Sequence, residues 1–321
     1  MAIPIWQNHY TTLGSNASYQ FRIRLDSDSG TIIFSGKAFK KPGESSVYVR
    51  LNDICANYLN EELIPDFVHG QSSDLEYSRT FVVEKYTSSW VEAEIVEFAN
   101  NWSYNSQWAE AQGLSFPVTK ISTRQPILWS WTSMPSSVRC YYSRPNTVSW
   151  ISKNISTTAG RKTLCIIPQT YMSNINGIRI NVTGVAAREY EIVNSCARFA
   201  LYYVNSYGGW DTALMDGNYT ISTDVERYIR ETESVGQKVN YLNLMEKHIT
   251  LNSGWLTDAQ AEMMGELMNS TNVWLYDMDA DWCHPVILTD NTWVQKSFKN
   301  QGDRLFNYTI QAQFAKREIR R

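Results

Sequence analysis

Histidine is scarce in this sequence. His9, His69, His248 and His284 are the only four in 321 residues, and none falls in an HExxH or HxH spacing. The usual local signatures of zinc hydrolases are therefore missing. The chain also lacks a P-loop, a GxGxxG turn and a G-x-S-x-G elbow, so nothing local calls for a nucleotide, a cofactor or an activated serine. The five cysteines, Cys55, Cys140, Cys165, Cys196 and Cys283, form no CxxC pair. Free, mostly buried thiols in a reducing compartment are expected. No excess of positive charge exists: 29 Lys and Arg face 32 Asp and Glu, for a net charge of −3. Direct nucleic-acid binding is not expected without a basic footprint. The one basic run is Lys316-Arg317-Glu318-Ile319-Arg320-Arg321, which fits a solvated chain end or a contact with an acidic partner. No apolar stretch approaches the length of a membrane span, so no membrane insertion is expected. The start, Met1-Ala2-Ile3-Pro4-Ile5-Trp6, has neither a basic nor an apolar signal region, and no secretory signal is expected. The Asn-X-Ser/Thr triplets at Asn16, Asn101, Asn154, Asn181, Asn218, Asn269 and Asn307 then reflect composition rather than glycosylation.

What the chain does have is aromatic residues: 12 Trp and 19 Tyr. These favour strands, subunit contacts and sugar-binding faces. Tyr19, Phe21, Ile23 and Leu25 alternate with polar residues, Asp26-Ser27-Asp28-Ser29-Gly30 supplies turn chemistry, and Thr31–Ala38 returns, which predicts a hairpin. Ser46–Val49 adds a possible third strand, and Leu51, Ile54, Tyr58 and Leu59 share a helical face. From Arg79 to about Val193 short period-2 segments separated by turns predict an immunoglobulin-like β-sandwich. Beyond Asn194-Ser195 the pattern is mixed. Ala197–Asn205 reads as a strand, Thr223–Thr232 as strand or short helix, and Val239–His248 fits either period. Thr257-Asp258-Ala259-Gln260 is a capping box, followed by a helix with Ala259, Met263 and Leu267 on one stripe, Met264 and Met268 beside it, and a stop at Asn269-Ser270. Val273–Tyr276, Val286–Thr289, Trp293–Phe298 and Phe306–Phe314 read as further strands. The expected fold is mainly β: a 1–78 hairpin-and-helix region, a 79–194 β-sandwich, and a 195–321 α+β domain with a short helix packed on an antiparallel sheet.

Few residues carry candidate chemistry. Asp277, Asp279 and Asp281 alternate as in a cation loop, but Trp282 and Leu288 stand where an EF-hand needs Gly and Glu, so a plain hairpin turn is expected and no metal site is assigned. Cys283-His284 offers only two of the four ligands zinc requires. Glu92, Glu94 and Glu97 lie among aromatics, as a sugar-acting enzyme would need, yet alternation places Glu92 and Glu94 together on a solvent face. The segment Tyr203, Tyr207, Gly208, Gly209, Trp210, Asp211 reads either as an aromatic corner between strands or as a contact loop at a subunit or ligand interface. In the last strand, Asn307, Thr309, Gln311 and Gln313 form an uncharged polar face opposite Phe306, Tyr308, Ile310, Ala312 and Phe314, a composition suited to abutting another subunit.

The segments Tyr203-Val204-Asn205-Ser206-Tyr207-Gly208-Gly209-Trp210-Asp211, Ser253-Gly254-Trp255-Leu256-Thr257, Pro285-Val286-Ile287-Leu288-Thr289-Asp290 and Leu305-Phe306-Asn307-Tyr308-Thr309-Ile310 resemble virion proteins of tailed phages infecting gut Bacteroidota, including crAss-like phages. The resemblance covers about the last 120 residues. It implies a non-enzymatic tail, baseplate or hub/collar component that assembles with copies of itself and with other virion proteins in the host cytoplasm, and it supplies no functional residues. The alternative is a carbohydrate- or receptor-binding module with exposed Trp or Tyr side chains. A third reading is a glycan-acting enzyme with two facing carboxylates.

Overall fold

The computed structural model describes residues 3–4, 9–27, 31–52, 54–55, 58, 65, 67, 72–74, 78–99, 118–134, 137–145, 149–156, 160–171, 174–181, 188–193, 196–205, 209–231, 238–290, 305–315 and 318–320. The expected strand at Trp293–Phe298 lies outside them. The fold is mainly β, built from several largely antiparallel sheets; among the described residues one helix, Asp258–Asn269, runs beyond a single turn, and Asn52, Ile54, Cys55 and Tyr58 are also helical.

The first unit contains β1 (Ile3–Pro4), β2 (Tyr10–Gly14), β3 (Ser18–Leu25), β4 (Ile32–Phe39) and β5 (Val47–Arg50). The period-2 pattern of Phe21, Ile23 and Leu25 turns these three inward, and β3 pairs with β4 as the hairpin pattern predicts. The sheet order is β1-β8-β7-β3-β4, where β7 is Ser78–Tyr86 and β8 is Trp90–Ala99. Phe81, Val83, Val96 and Phe98 from β7 and β8 share one core with Leu13, Val47, Val49, Leu51 and Cys55. The boundary expected at 78/79 therefore falls inside a sheet. β5 pairs with β2, not with the first hairpin.

The second unit is a sandwich. One layer is β10-β13-β6, made of β6 (Ser72–Asp74), β10 (Ile127–Met134) and β13 (Gly160–Ile166). The other is β12-β11-β14-β15-β9, made of β9 (Thr119–Ser122), β11 (Ser137–Ser143), β12 (Ile151–Ser156), β14 (Gly177–Asn181) and β15 (Arg188–Val193). Both layers fill one core: Ile127, Trp129, Leu164 and Ile166 meet Val138, Cys140, Tyr142, Ile178, Ile180 and Ile192. The only helix described here is the single turn α1 (Pro168–Tyr171).

The third unit is a sheet of order β17-β16-β20-β21-β22-β19-β18, with β16 (Phe199–Val204), β17 (Trp210–Met215), β18 (Tyr219–Glu231), β19 (Lys238–Asn252), β20 (Val273–Asp277), β21 (Trp282–Leu288) and β22 (Thr309–Phe314). A last short strand, β23 (Glu318–Arg320), pairs with β19. The helix α2 (Asp258–Asn269) starts at the expected capping box: the Thr257 hydroxyl accepts from the Gln260 N–H, and the Gln260 side chain accepts from the Thr257 N–H. Its buried stripe differs from the expected one. Ala261, Met264 and Leu267 face the sheet, and Met263 is half-buried. Gln260 is buried as well and donates to the Val118 carbonyl at 2.8 Å.

β16 explains how these units join. Phe199, Leu201 and Tyr203 face the helix-side core, while Ala200, Tyr202 and Val204 face a second core shared with Leu128 of β10 and Cys165 of β13. β10 and β13 are likewise buried on both sides, since Trp129 and Leu164 point into the sandwich. The result is a stack of four layers: sheet, sheet, sheet, helix. Strands buried on two faces read as unbroken apolar runs, as Phe199–Val204 does. We predict that Leu201→Ala, which empties a fully buried site in this stack, lowers unfolding free energy by about 2–5 kcal/mol in urea titrations followed by Trp fluorescence.

Candidate functional site

The described parts of the aromatic segment, residues 203–205 and 209–211, are internal. Asn205 closes the β16–β17 turn: its side-chain oxygen accepts from the Gly209 N–H at 3.1 Å, and its own N–H donates to the Gly209 carbonyl at 3.0 Å. Tyr203 is buried and donates to the Met263 carbonyl at 3.3 Å. Trp210 is buried in the core between the second and third units. Asp211 accepts from Arg188 of β15 at 2.7 Å, and Arg188 also reaches the Thr119 hydroxyl of β9 at 3.2 Å. Arg188 and Asp211 are both nearly enclosed, so losing either leaves a buried charge, typically a cost of about 3–5 kcal/mol. The contact-loop expectation is thus corrected for Tyr203, Trp210 and Asp211, whose side chains hold the chain to itself. Tyr207 and Gly208 lie outside the described residues.

Asp277, Asp279 and Asp281 sit on the β20–β21 hairpin turn, as the plain reading expects. Each carboxylate faces a donor of its own chain. Asp277 takes Arg198 on both oxygens, at 2.7 to 3.1 Å, and the N–H groups of Asp279 and Ala280 at 3.0 and 3.2 Å. Asp279 takes Arg124 at 2.7 Å, and Asp281, in the left-handed region at φ 51°, accepts from the Tyr276 hydroxyl. Burial pushes the Asp277 carboxyl upward, but Arg198 and the two backbone N–H groups outweigh it and hold it below the ordinary value. Among the described residues no three His, Cys, Asp or Glu side chains are grouped to hold a metal. Cys283 is pushed up to about 12 by burial, and the His284 ring is stacked 4.1 Å from Trp282. These are the properties of packing groups.

The carboxylates of β8 are separated. A bulge between Val83 and Glu84 places Glu92 opposite Glu84 on the outer face and Glu94 opposite Val83 on the inner one. Glu94 meets the His9 ring nitrogen at 2.8 Å, while Glu84 gathers Arg22 and Arg24. Strict alternation, which put Glu92 and Glu94 on one solvent face, missed this bulge. The two carboxylates do not face one another as a glycosidase pair would.

The surface that does remain open lies at the other end of the large sheet. Thr309 and Gln311 are exposed, and Asn307 and Gln313 are half-buried, bonded to Asn252 at 2.6 Å and Glu246 at 3.2 Å. Strand register sets Thr220 and Thr250 beside Gln311, and Ser222 and His248 beside Gln313. This is a mostly uncharged polar face three strands wide. Beyond it β18 and β19 run on as an arm. β22 pairs only with His248–Asn252 and β23 only with Asn243–Met245, whereas β18 follows β19 as far as Lys238. At 13 residues β18 is about 40 Å long. Ile221, Val225 and Ile229 stand in solvent along it, at 46%, 37% and 59% exposure. The sequence left this stretch between strand and helix because its charged residues, Asp224, Glu226 and Arg227, interrupt the apolar alternation.

No helix among the described residues is long and apolar enough to cross a membrane. No protein-family model matches the chain, and no curated protein or solved structure is significantly similar to it.

The acid limb of stability follows from the two paired carboxylates. Glu84, like Asp277, is raised by burial but held below its ordinary value by the stronger pull of Arg22 and Arg24. A carboxylate that is more acidic folded than unfolded stabilises the fold above its unfolded value, near 4. That contribution fades as pH falls from about 4 through the lower folded values. Stability measured from pH 7 to pH 2 should therefore drop below about pH 4, and Asp277→Asn should be less stable at pH 7 with a shallower acid fall.

Proposed function

We propose that the chain is a non-enzymatic structural component of a tailed-phage virion, in the tail, baseplate or hub/collar, which assembles through contacts with its own copies and with other virion proteins. One observation carries the reading: the open edge of β18. The large sheet has two edges. β17 is sealed, because Trp210 and Leu214 are buried in the core shared with β10 and β13, and β9 lies alongside. β18 has no neighbour on its outer side among the described residues and is exposed along its length. A long edge with apolar side chains in water is a template for pairing with another chain, and β18 keeps one register with β19 from Tyr219 to Tyr228 before a bulge. The uncharged face around Thr309 and Gln311 continues from it, with the composition of a subunit contact rather than a free surface. The resemblance of the last third of the chain to phage virion proteins agrees with this reading.

Light scattering over a wide concentration range tests it. A discrete oligomer is expected, and the double variant Val225→Lys, Ile229→Lys should weaken association by about tenfold or more while the melting temperature stays within a few degrees. A wild-type monomer at every concentration, or an oligomer indifferent to the two lysines, would contradict it.

A further inference from the structure

Four tryptophans stand exposed in the described residues: Trp90, Trp150, Trp255 and Trp282. Three have a ring partner from their own chain. Arg22 lies 4.5 Å over Trp90, Arg179 lies 4.8 Å over Trp150, and Trp282 stacks on His284. Among the described residues nothing stacks on Trp255, which is 60% exposed. It stands at the rim of a shallow cleft, open to solvent on one side and with a cavity volume of about 30 Å³, where β9, β17, the 253–256 turn and α2 meet.

The cleft is graded from rim to wall. Its outer residues are Lys120, Asp216 and Trp255; its inner wall is Tyr203, Leu214 and Met264, all buried. The polar groups of that wall are already engaged. Thr212 donates to the Leu201 carbonyl at 3.2 Å and accepts from Gln125, Ser253 accepts from the Tyr308 N–H at 3.0 Å, and Gln260 bonds Thr257 and Val118. The inner side therefore presents an apolar surface with its hydrogen bonds spent. At the rim the Lys120 ammonium donates to the Trp255 carbonyl at 2.8 Å, which uses one of its three hydrogens. Gly254 sits at φ +66°, and a Cβ there would come 3.1 Å from the Asp216 Cβ. The turn is thereby packed closely on Asp216, and both Trp255 and Asp216 line the cleft.

We infer that this cleft binds a hexose carrying a methyl-bearing substituent, an acetamido or a 6-deoxy group. Each part of such a ligand has a matching surface. The C–H face of the pyranose lies on the open indole of Trp255. Two adjacent hydroxyls donate to the Asp216 carboxylate, and Lys120 keeps hydrogens for a ligand oxygen. The methyl group meets Leu214 and Met264, where a further hydroxyl would be desolvated without a partner. The site is independent of the β18 edge, so it stands or falls separately from the assembly reading.

The test is a titration of the full chain, read by Trp fluorescence and calorimetry, with methyl glycosides of N-acetylglucosamine, fucose and glucose, and with short oligosaccharides ending in them. Saturable binding of at least one methyl-bearing sugar is expected, about tenfold tighter than glucose. It should be lost in Trp255→Ala and weakened at least tenfold in Asp216→Asn, both of which should melt like the wild type because they alter exposed side chains. Tighter binding of an oligosaccharide than of its terminal sugar would identify a glycan end as the natural source, and equal binding a free sugar. No saturable response to any of these sugars would overturn the inference. So would binding that survives Trp255→Ala, or a response to apolar peptides but not to sugars.

Discussion

Burial of strands on both faces is the constraint on which the rest of the structure depends. β10 and β13 lie between the sandwich core and the core they share with β16, and β16 lies between that shared core and the helix. Side chains of both parities must then be apolar and fit, which fixes register on both sides at once. Several polar groups at the seam are paired across it. Arg188 pairs with Asp211, Gln125 donates to Thr212, and the Tyr202 hydroxyl donates to the Pro126 carbonyl. Each of these links the second unit to the third, so the two form a single packed body.

The same seam makes the large sheet asymmetric. Covering β17 and the nearby half of one face consumes the aromatic side chains that looked available for contacts with other molecules. What is left in solvent is the far half, with its uncharged rows and the β18–β19 arm. A sheet sealed at one edge cannot continue from copy to copy in an endless head-to-tail series, because that requires two free edges. Pairing at β18 would instead be edge to edge with one partner strand. The cleft proposed to take a sugar sits at the sealed end, so under these two proposals ligand recognition and assembly use opposite ends of the unit.

Local chemistry was readable in the sequence wherever it was decided by neighbours along the chain. The first hairpin, the capping box at Thr257, the stop at Ser270, the Asp277–Asp281 turn and the alternation of Tyr308, Ile310 and Ala312 all follow from residues a few positions apart. What was decided across the fold was not readable. The burial of Tyr203, Trp210 and Asp211 depends on β10, β13 and Arg188, far away in sequence. The four-residue strand β9 pairs in parallel with β15 and has no apolar alternation of its own to announce it. The bulge that separates Glu92 from Glu94 arises where β8 pairs with β7, and the burial of Gln260 goes with its hydrogen bond to the Val118 carbonyl. The candidate ligand cleft has the same character: Trp255 lies in one of the segments that carry the family resemblance, but Lys120 and Asp216 reach it only through the packing of β9 against β17.

The most direct measurement of the central claim, that β18 is an edge awaiting a partner, is amide hydrogen exchange followed by mass spectrometry as protein concentration is raised. β16 amides should exchange slowly throughout, since that strand is buried on both faces. The outward-pointing amides of Tyr219–Glu231, which do not face β19, should exchange quickly in dilute protein and become protected as the assembly forms. Fast exchange along β18 in the fully assembled protein would contradict the account.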